Sequence, residues 1–171
     1  PFGSALLKSE LVEVGIPLLG IDNVHVEYFD QRFSRFVTAK KFYELARYAV
    51  RPNDLMITIM GTVGRCCLVP SDIGAALSSK HTWTITLDSN VYIPYLAMLQ
   101  INYTPWALDH FSKGEQGGIM SAIRSDTLRT LMLPTPTMAE QKEIAARLLN
   151  ISERISLEIV NVKKLQMKKS A

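Results

Sequence analysis

Short apolar runs separated by turn-forming residues recur along the first part of the chain and predict a set of β-strands. In HTWTITL (81–87), Trp83, Ile85 and Leu87 alternate with polar residues, so one face of this strand is predicted to be apolar. The other strand-like runs are IPLLGIDNVHV (16–26), which is one strand or two broken at Gly20, LMITIM (55–60) and RCCLVP (65–70).

Three segments have the features of α-helices. TAKKFYELARYAV (38–50) has apolar residues at helical spacing, with Thr38 as a cap and the turn RPND after it. IPYLAMLQINY (93–103) and TPWALDHFS (104–112) each carry a proline in the first turn. Because strands and helices alternate, the sequence predicts an α/β (α+β) fold whose globular body has a mixed, twisted β-sheet and flanking helices.

The stretch LMLPTPTMAEQKEIAARLLN (131–150) predicts the boundary between this body and a C-terminal helix. The segment leading into it, SDTLRTLMLP, is predicted to end in a strand. Pro134 and Pro136 keep the residues before them extended. Neither the strand nor the helix is therefore expected to continue across the boundary.

Thr137 and Glu140 have the spacing of a capping box, in which each side chain accepts the other residue's backbone N–H. A helix is predicted to begin there and to run to Lys169, a rod of about 48 Å at 1.5 Å per residue. The sequence accordingly divides into a body, residues 1–136, and one long coiled-coil-type helix, residues 137–171.

Apolar residues recur along this helix at steps of three and four, close to the spacing of a coiled-coil seam. We expect the seam to pair with another helix, because the rod exceeds the typical length of about 12 residues and its other faces are charged. The alternative is an amphipathic helix that folds back on its own body. The predicted helix-pairing residues are Ile144, Leu148, Ile151, Ile155, Ile159, Val162 and Leu165.

The basic excess lies in the helix rather than in the body. The whole chain carries a net charge of +3, from 19 lysines and arginines against 16 aspartates and glutamates. Residues 1–137 hold 12 of each sign, whereas residues 138–171 hold 7 basic and 4 acidic residues. Charge alone therefore does not indicate that the body binds nucleic acid.

Composition favours a cytoplasmic protein whose cysteine thiols are reduced. No run approaches the roughly 18 apolar residues of a membrane span, and the first residues lack the layout of a secretory signal. The two cysteines, Cys66 and Cys67, are adjacent in an apolar run and are expected to be reduced core thiols. Trp83, Trp106 and Phe111 are also expected in the core.

No catalytic pattern in the sequence is complete. GTVG, between the two strand runs 55–60 and 65–70, lacks the Lys-Ser/Thr that follows the second glycine of a phosphate-binding loop. It predicts instead a turn with a positive φ at Gly61 or Gly64. NYTPW has one proline where the active-site strand of an adenine methyltransferase has two. The three histidines are too scattered for a recognisable metal site. A non-enzymatic protein without a metal is therefore expected.

Three stretches together carry a family resemblance: GIPLLGIDNV, NDLMITIMGTVGRCCLVP and LMLPTPTMAEQKEIAARL. The first two resemble the opening strand and the central hairpin of a target recognition domain in the specificity subunit of type I restriction-modification systems. The third resembles the end of that domain and the start of the conserved helical spacer, where a Pro-rich strand leads to EQ and an isoleucine three residues on. They lie in the family's order and spacing across residues 15–150.

The resemblance implies a module that reads double-stranded DNA without catalysis. In that family each such domain recognises one half of a split DNA sequence, while methyltransferase subunits, which use S-adenosylmethionine, and restriction subunits do the chemistry. The chain itself is expected to need no cofactor. A whole specificity subunit usually carries two such domains and two spacer helices, so this chain is expected to be a half subunit or a fragment. Its helix would pair with a second half or with a copy of itself.

Two other functions stay open. The chain could be an oligomerisation scaffold that uses the helix and does not bind DNA. It could also be the reader domain of a fused restriction-methylation enzyme.

Reading bases requires side chains that reach the major groove, chiefly Arg or Lys to guanine and Asn or Gln to adenine, while other basic and hydroxyl groups hold phosphates. Recognition loops of the family vary, so the resemblance assigns no individual base contact. Arg65, which emerges from the GTVG turn, is a candidate phosphate contact. The remaining candidates lie in three predicted loops: Gln31, Arg32, Ser34 and Arg35; Ser78, Ser79, Lys80 and His81; and Lys113 and Gln116.

Overall fold

A computed structural model describes residues 5–114 and 122–169, except for the side chains of Lys168 and Lys169. The chain divides into two compact units, the first ending at Pro134 and the second beginning at Thr135. The strands and α-helices of the described residues are, in chain order, β1 (Ile16–Leu19), β2 (Phe36–Val37), α1 (Ala39–Glu44), β3 (Leu55–Thr58), β4 (Cys66–Leu68), β5 (Leu77–Ser78), β6 (Thr82–Ile85), α2 (Pro94–Tyr103), α3 (Pro105–Gly114), α4 (Ser125–Arg129) and α5 (Met138–Lys169).

The strands form two three-stranded sheets. In the first sheet, β1 lies between β2 and β5 and pairs antiparallel with β2 and parallel with β5, so this sheet is mixed. In the second sheet, β3 lies between β4 and β6 and pairs antiparallel with both. The parallel pairing brings Leu19 opposite Ser78, two residues that are distant in the sequence. Two small sheets, flanking helices and a long C-terminal helix confirm the predicted fold class.

The two sheets share one hydrophobic core. All four residues of β3 are buried, and Met56 lies opposite Cys67 of β4 and Thr84 of β6. Residues opposite one another in antiparallel strands point to the same face. On that face Met56 and Cys67 pack in a cluster with Leu19 of the first sheet. The other buried members of the cluster are Val24, Phe29, Val50, Val69, Ile73 and Ala76.

A buried side-chain amide connects α2 to β4. Asn102 Nδ2 donates a hydrogen bond to Cys66 O at 2.8 Å, and the N–H of Cys66 donates to Asn102 Oδ1 at 3.0 Å. Since β4 is an edge strand, the outward backbone groups of Cys66 have no neighbouring strand. The Asn102 amide supplies the hydrogen bonds that a neighbouring strand would otherwise make to Cys66.

Several predicted elements are confirmed. The runs 55–60 and 65–70 form the hairpin β3–β4, and Gly61 and Gly64 in its turn both have positive φ, 77° and 84°. The predicted strand at 81–87 contains β6. Both α2 and α3 begin at the prolines that the sequence placed in their first turns.

Two predicted elements are shorter than expected. The helix predicted over 38–50 is capped by Thr38, but it ends at Glu44, because Leu45 leaves the helical region with φ −106° and ψ 18°. A 3₁₀ turn, Ala46–Tyr48, follows it. The strand predicted over 16–26 is broken at Gly20, as the sequence allowed, but its second part is a 3₁₀ turn rather than a strand.

The strand predicted at the end of the segment 125–134 is wrong. This segment forms α4 and then continues without regular structure to the start of α5. The carbonyl oxygen of Pro134 accepts hydrogen bonds from Tyr92 Oη at 3.1 Å and Gln100 Nε2 at 3.0 Å. Side chains, rather than a neighbouring strand, therefore hold this stretch, and its prolines cannot donate to a β-ladder.

The capping box at the start of α5 is confirmed. The N–H of Thr137 donates to Glu140 Oε2 at 2.9 Å, and the N–H of Glu140 donates to Thr137 Oγ1 at 3.4 Å. Hydrogen bonds from the Thr137 side chain and backbone lower the pKa of Glu140. Gln141 Nε2 adds a hydrogen bond to Pro136 O at 2.9 Å. The helix then continues to Lys169, as predicted.

The two cysteines are free and fully buried, which confirms the expectation of reduced core thiols. Burial raises the pKa of Cys67 to about 12 and that of Cys66 well above its ordinary value. Both thiols are therefore protonated at neutral pH and are poor nucleophiles.

The aromatic residues expected in the core divide into three cases. Phe111 is buried and Trp83 is half-buried, whereas Trp106 is 48% exposed. The expectation for Trp106 is wrong because α3 buries the face that carries Ala107 and Phe111, and Trp106 lies off that face.

Candidate nucleic-acid interface

The candidate residues Ser79, Lys80 and His81 form a tight turn between β5 and β6. The N–H of Ser79 donates to Leu19 O at 2.8 Å, and the N–H of Ile59 donates to His81 O at 3.1 Å. Since Leu19 ends β1 and Ile59 follows β3, the turn is hydrogen-bonded to both sheets. Lys80 is exposed and His81 is partly exposed. A turn fixed at both ends therefore presents these side chains to solvent.

Arg35, which directly precedes β2, is held in place by its backbone and by its side chain. Its carbonyl oxygen accepts from the N–H of Leu18 at 2.9 Å, and its guanidinium forms an ion pair with Asp22. A Cβ atom at Gly20 would lie 2.9 Å from Arg35 Nη1 and 2.7 Å from Asp22 Oδ1, closer than such contacts occur. The missing side chain at Gly20 thus leaves room for this ion pair.

Arg35 lies beside Lys80 and His81 although it is far from them in the sequence. Burial lowers the pKa of His81, and the positive charges of Lys80 and Arg35 lower it further. His81 is therefore mainly neutral at pH 7 and presents one ring N–H and one acceptor nitrogen. The reading hollow, a depression of about 220 Å³, is lined by Leu6, Leu7, Lys8, Leu11, Leu18, Arg35, Ser79, Lys80 and His81.

The other candidates in the loop before β2 do not line this hollow. Gln31 Nε2 donates to Asp72 Oδ1 at 3.4 Å. Arg32 forms an ion pair with Asp30, and the hydrogen bonds from Arg32 lower the pKa of Asp30 to about 2. Ser34 is exposed. Within this loop, the structure thus brings only Arg35 to the Ser79–His81 turn.

The remaining predicted contacts also lie outside the reading hollow. Lys113 forms an ion pair with Asp109 at 2.6 Å, and both side chains are exposed. Arg65 is half-buried, and its backbone N–H and carbonyl both bond to Thr58. Gln116 lies outside the described residues.

A second depression, the threonine hollow, shares Ser79 with the reading hollow and measures about 400 Å³. Two arginines that the sequence did not indicate, Arg47 and Arg51, contribute to it. The signal for them was weak, because each is an exposed basic residue beside a turn. The lining residues are Ala46, Arg47, Tyr48, Ala49, Arg51, Asp54, Ser78, Ser79, Thr82, Trp83, Thr84 and Thr86.

The predicted helix-pairing residues form a seam along α5 that is exposed except at the half-buried Leu148. Between Leu149 and Met167 every residue of the helix is exposed. The seam residues Ile151 and Ile155 expose 52% and 55% of their surface, and those farther along are similar. Helix stability in water comes mostly from burial of an apolar face, and among the described residues this seam leaves such a face exposed.

A second apolar stripe, unforeseen from the sequence, lies on the opposite side of α5. At 100° per residue, Leu149, Val160 and Met167 point about 160–180° away from Ile151, with Leu157 beside them. All four are between 46% and 65% exposed. The prediction that the other faces of the helix are charged is therefore incomplete.

Two general features bear on the kind of site. Among residues 5–114 and 122–169, no group of three or more His, Cys, Asp or Glu side chains could hold a metal ion. None of the helices in this part of the chain combines the length and the apolar character needed to cross a bilayer.

Sequence comparison finds one class of relative. The chain is 21% identical over 136 residues to the specificity subunit of the type I restriction enzyme EcoBI from Escherichia coli. The match covers 80% of this chain and 28% of that subunit, so the chain spans less than a third of its relative. No family model matches the sequence.

Solved structures with the same fold come from the same class of systems. A chain from a study of complex assembly and conformational transition in a type I restriction-modification system superposes with a TM-score of 0.66 and 17% identity, over 89% of this chain and 35% of that one. The HsdS subunit from Thermoanaerobacter tengcongensis gives 0.58 and 17%, over 89% and 34%. The S subunit from M. genitalium gives 0.55 and 15%, over 88% and 35%.

The aligned part covers between 28% and 35% of each of these relatives, so the comparison concerns one segment of a larger protein. The relative found by sequence and those found by structure belong to the same class. The predicted resemblance to the specificity subunits of type I restriction-modification systems is thereby confirmed.

Proposed function

We propose that the chain is a sequence-specific, non-catalytic DNA-binding module of a type I restriction-modification system, acting in the cytoplasm. It reads one half of a bipartite target and positions methyltransferase and restriction subunits on the DNA. The observation that carries this proposal is the reading hollow, where Arg35, Ser79, Lys80 and His81 meet on a turn bonded to both sheets. The similarity to specificity subunits supports it.

The side chains of the reading hollow suit a DNA contact. Arg and Lys donate to guanine or to phosphate, and neutral His can both donate and accept, whereas Ser79 is buried and its hydroxyl accepts from the N–H of His81. The Arg35–Asp22 ion pair is partly exposed and therefore contributes little to stability, so Arg35 can exchange this partner for DNA. The neutral charge of the whole body is no obstacle, because binding depends on the local surface.

Lys80→Ala is expected to weaken binding of the full chain to duplex DNA and to reduce its salt dependence. If Lys80 neutralises one phosphate, the slope of log affinity against log salt concentration should fall by about 0.9. Fluorescence anisotropy of a labelled duplex at several salt concentrations measures both quantities.

Lys40→Ala is the matched control for this substitution. It also removes one exposed lysine, but Lys40 lies outside the reading hollow. The wild-type slope should be retained. Equal slopes for Lys80→Ala and the wild type would contradict the role of the hollow.

The proposal assigns α5 the role of a ruler. Two rods paired along their seams would fix the distance between the DNA half-sites read by the two bodies. For the isolated chain, the second rod is α5 of another copy. The exposed seam supports this pairing, because its isoleucines have no apolar partner within the chain's described residues in the stretch from Ile151 to Leu165.

The second stripe of α5 is assigned to the methyltransferase subunit. When the seam is covered by another rod, Leu149, Leu157 and Val160 remain on the outside of the pair. An apolar stripe of this length is unusual on a surface without a partner. It offers a helix of the methyltransferase subunit a place to dock.

A scaffold that does not bind DNA is the second candidate function, and the two exposed stripes of α5 favour it as much as they favour the first. Sequencing of methylated genomic DNA from cells that express the complete system separates the two. A DNA reader predicts a bipartite motif with a fixed spacing. Methylation without any sequence preference would favour the scaffold. The reader domain of a fused restriction-methylation enzyme would yield a motif without separate methyltransferase subunits.

A further inference from the structure

Arg47 and Arg51 lack acidic partners among the described residues, unlike Arg32, Arg35, Lys41 and Lys113. Neither guanidinium forms an ion pair with a carboxylate of the described residues. The Arg47 guanidinium lies over the Tyr48 ring, 4.6 Å from its centroid, and donates to the Tyr48 hydroxyl. Both arginines are exposed at the threonine hollow. Two positive charges are thus available to an anion there.

One side of the threonine hollow is a row of hydroxyl groups. Thr82, Thr84 and Thr86 occupy alternate positions and therefore share a face of the sheet. Thr82 Oγ1 bonds to Ser78 Oγ at 2.9 Å, and Thr86 Oγ1 donates to Asp54 Oδ1 at 2.7 Å. Thr84 Oγ1, between them, is buried without a hydrogen-bond partner among the described residues. Since buried polar groups are normally paired, this hydroxyl indicates a missing partner.

Asp54, the acidic residue that lines the hollow, does not neutralise the positive charges of both arginines. Asp54 Oδ2 accepts from the N–H of Arg51 at 2.8 Å, and Oδ1 accepts from Thr86. The carboxylate is buried, and both of its oxygens already accept hydrogen bonds from groups of the protein. Two guanidinium groups against one carboxylate leave the hollow with a net positive charge. A small anion with several acceptor oxygens fits this combination of cations and hydroxyl groups.

We propose that the threonine hollow binds a phosphate group of the DNA backbone, held by Arg47 and Arg51, with the Thr84 hydroxyl as a further donor. The inference rests on the proposed DNA-binding function. The hollow shares Ser79 with the reading hollow. A phosphate at this place would therefore fix the strand beside the turn that carries Lys80 and His81. Phosphate contacts of this kind set the register of a protein on DNA without reading its sequence.

The double variant Arg47→Ala and Arg51→Ala tests the site in the full chain. We expect affinity for a labelled duplex at low salt to fall about 10- to 100-fold, since charge-assisted hydrogen bonds are lost. The salt slope should fall by about 0.9, the value for one phosphate. The methylated motif, read with the complete system, should stay the same because no base contact changes.

Three further variants distinguish a phosphate site from a loss of folding. Lys40→Ala removes an exposed basic residue that does not line the hollow, and its affinity and slope should match the wild type. Arg47→Lys with Arg51→Lys should keep the wild-type slope but recover the affinity only in part, because lysine cannot bind phosphate through two parallel hydrogen bonds. Thr84→Val should lower the affinity without changing the slope.

The outcomes distinguish this inference from the function on which it rests. If the double alanine variant keeps the wild-type slope while Lys80→Ala loses part of it, the phosphate site is refuted and the DNA-binding function stands. If the wild type shows no salt-dependent binding, both fail. Titration with inorganic phosphate covers the other source of the same anion. The inference would be overturned if the wild type binds inorganic phosphate tightly while the double alanine variant keeps the wild-type salt dependence of DNA binding. The hollow would then be a site for a free anion.

Discussion

The double substitution Ile151→Lys with Ile155→Lys is expected to convert a self-associating chain into a monomer and to abolish target methylation by the complete system. The two isoleucines are half-exposed in the single chain and lie one turn apart at the centre of the seam. In a helix pair they would be buried, and two lysines would place two positive charges in a mainly apolar seam. We expect self-association to weaken at least 100-fold, which corresponds to about 3 kcal/mol or more. Analytical ultracentrifugation over a range of concentrations measures the change.

Leu149→Lys with Leu157→Lys is the control for the seam variant. It introduces the same charge on the same helix, but on the opposite stripe. Self-association should survive, whereas binding of the methyltransferase subunit should be lost, as measured by co-purification. A wild-type chain that stays monomeric at high concentration would count against pairing of two copies.

Asn102→Leu is expected to lower the free energy of unfolding of the body by about 2–4 kcal/mol. The substitution removes both hydrogen bonds between the side-chain amide and the backbone of Cys66. The carbonyl of Cys66 keeps a hydrogen bond from the N–H of Glu27 at 3.0 Å, but its N–H is left buried without a partner. Leucine has the branched shape of asparagine but is larger, so no cavity forms and the loss comes from the unpaired donor together with overpacking. Urea denaturation followed by tryptophan fluorescence measures it.

Asn90→Ala is the matched control, because Asn90 is an exposed asparagine in a turn of the same unit. Its free energy of unfolding should stay within about 0.5 kcal/mol of the wild type. Equal stability of Asn102→Leu and the wild type would show that water or a local shift satisfies the Cys66 N–H.

The parts of the fold that could be predicted from the sequence are those governed by local chemistry. The hairpin β3–β4 follows from two apolar runs and a glycine turn, and α5 follows from the Thr137–Glu140 capping box. The segment before α5 could not be predicted in this way. Its apolar residues resemble a strand, but Pro134 is held by hydrogen bonds from Tyr92 and Gln100, which depend on the tertiary fold.

The candidate site could be predicted only in part, because its assembly depends on contacts of the tertiary fold. Each loop could be selected by its polar residues, but the sequence did not indicate which loops meet. The parallel pairing of β1 with β5 brings the Ser79 turn beside the segment of Arg35, and such a long-range pairing has no local signal. Arg47 and Arg51 were missed because nothing near them in the sequence distinguishes them from ordinary solvated arginines.

The hydrogen bonds of Ser79 and His81 to different sheets have a consequence for the proposed contact with DNA. Because Leu19 and Ile59 bond to opposite ends of one turn, a change in the distance between the sheets would move Lys80 and His81. Met56 is fully buried in the cluster that includes residues of both sheets. Under the proposed function, a larger or smaller residue at that position would shift these side chains against the DNA from inside the protein, without itself meeting the nucleic acid.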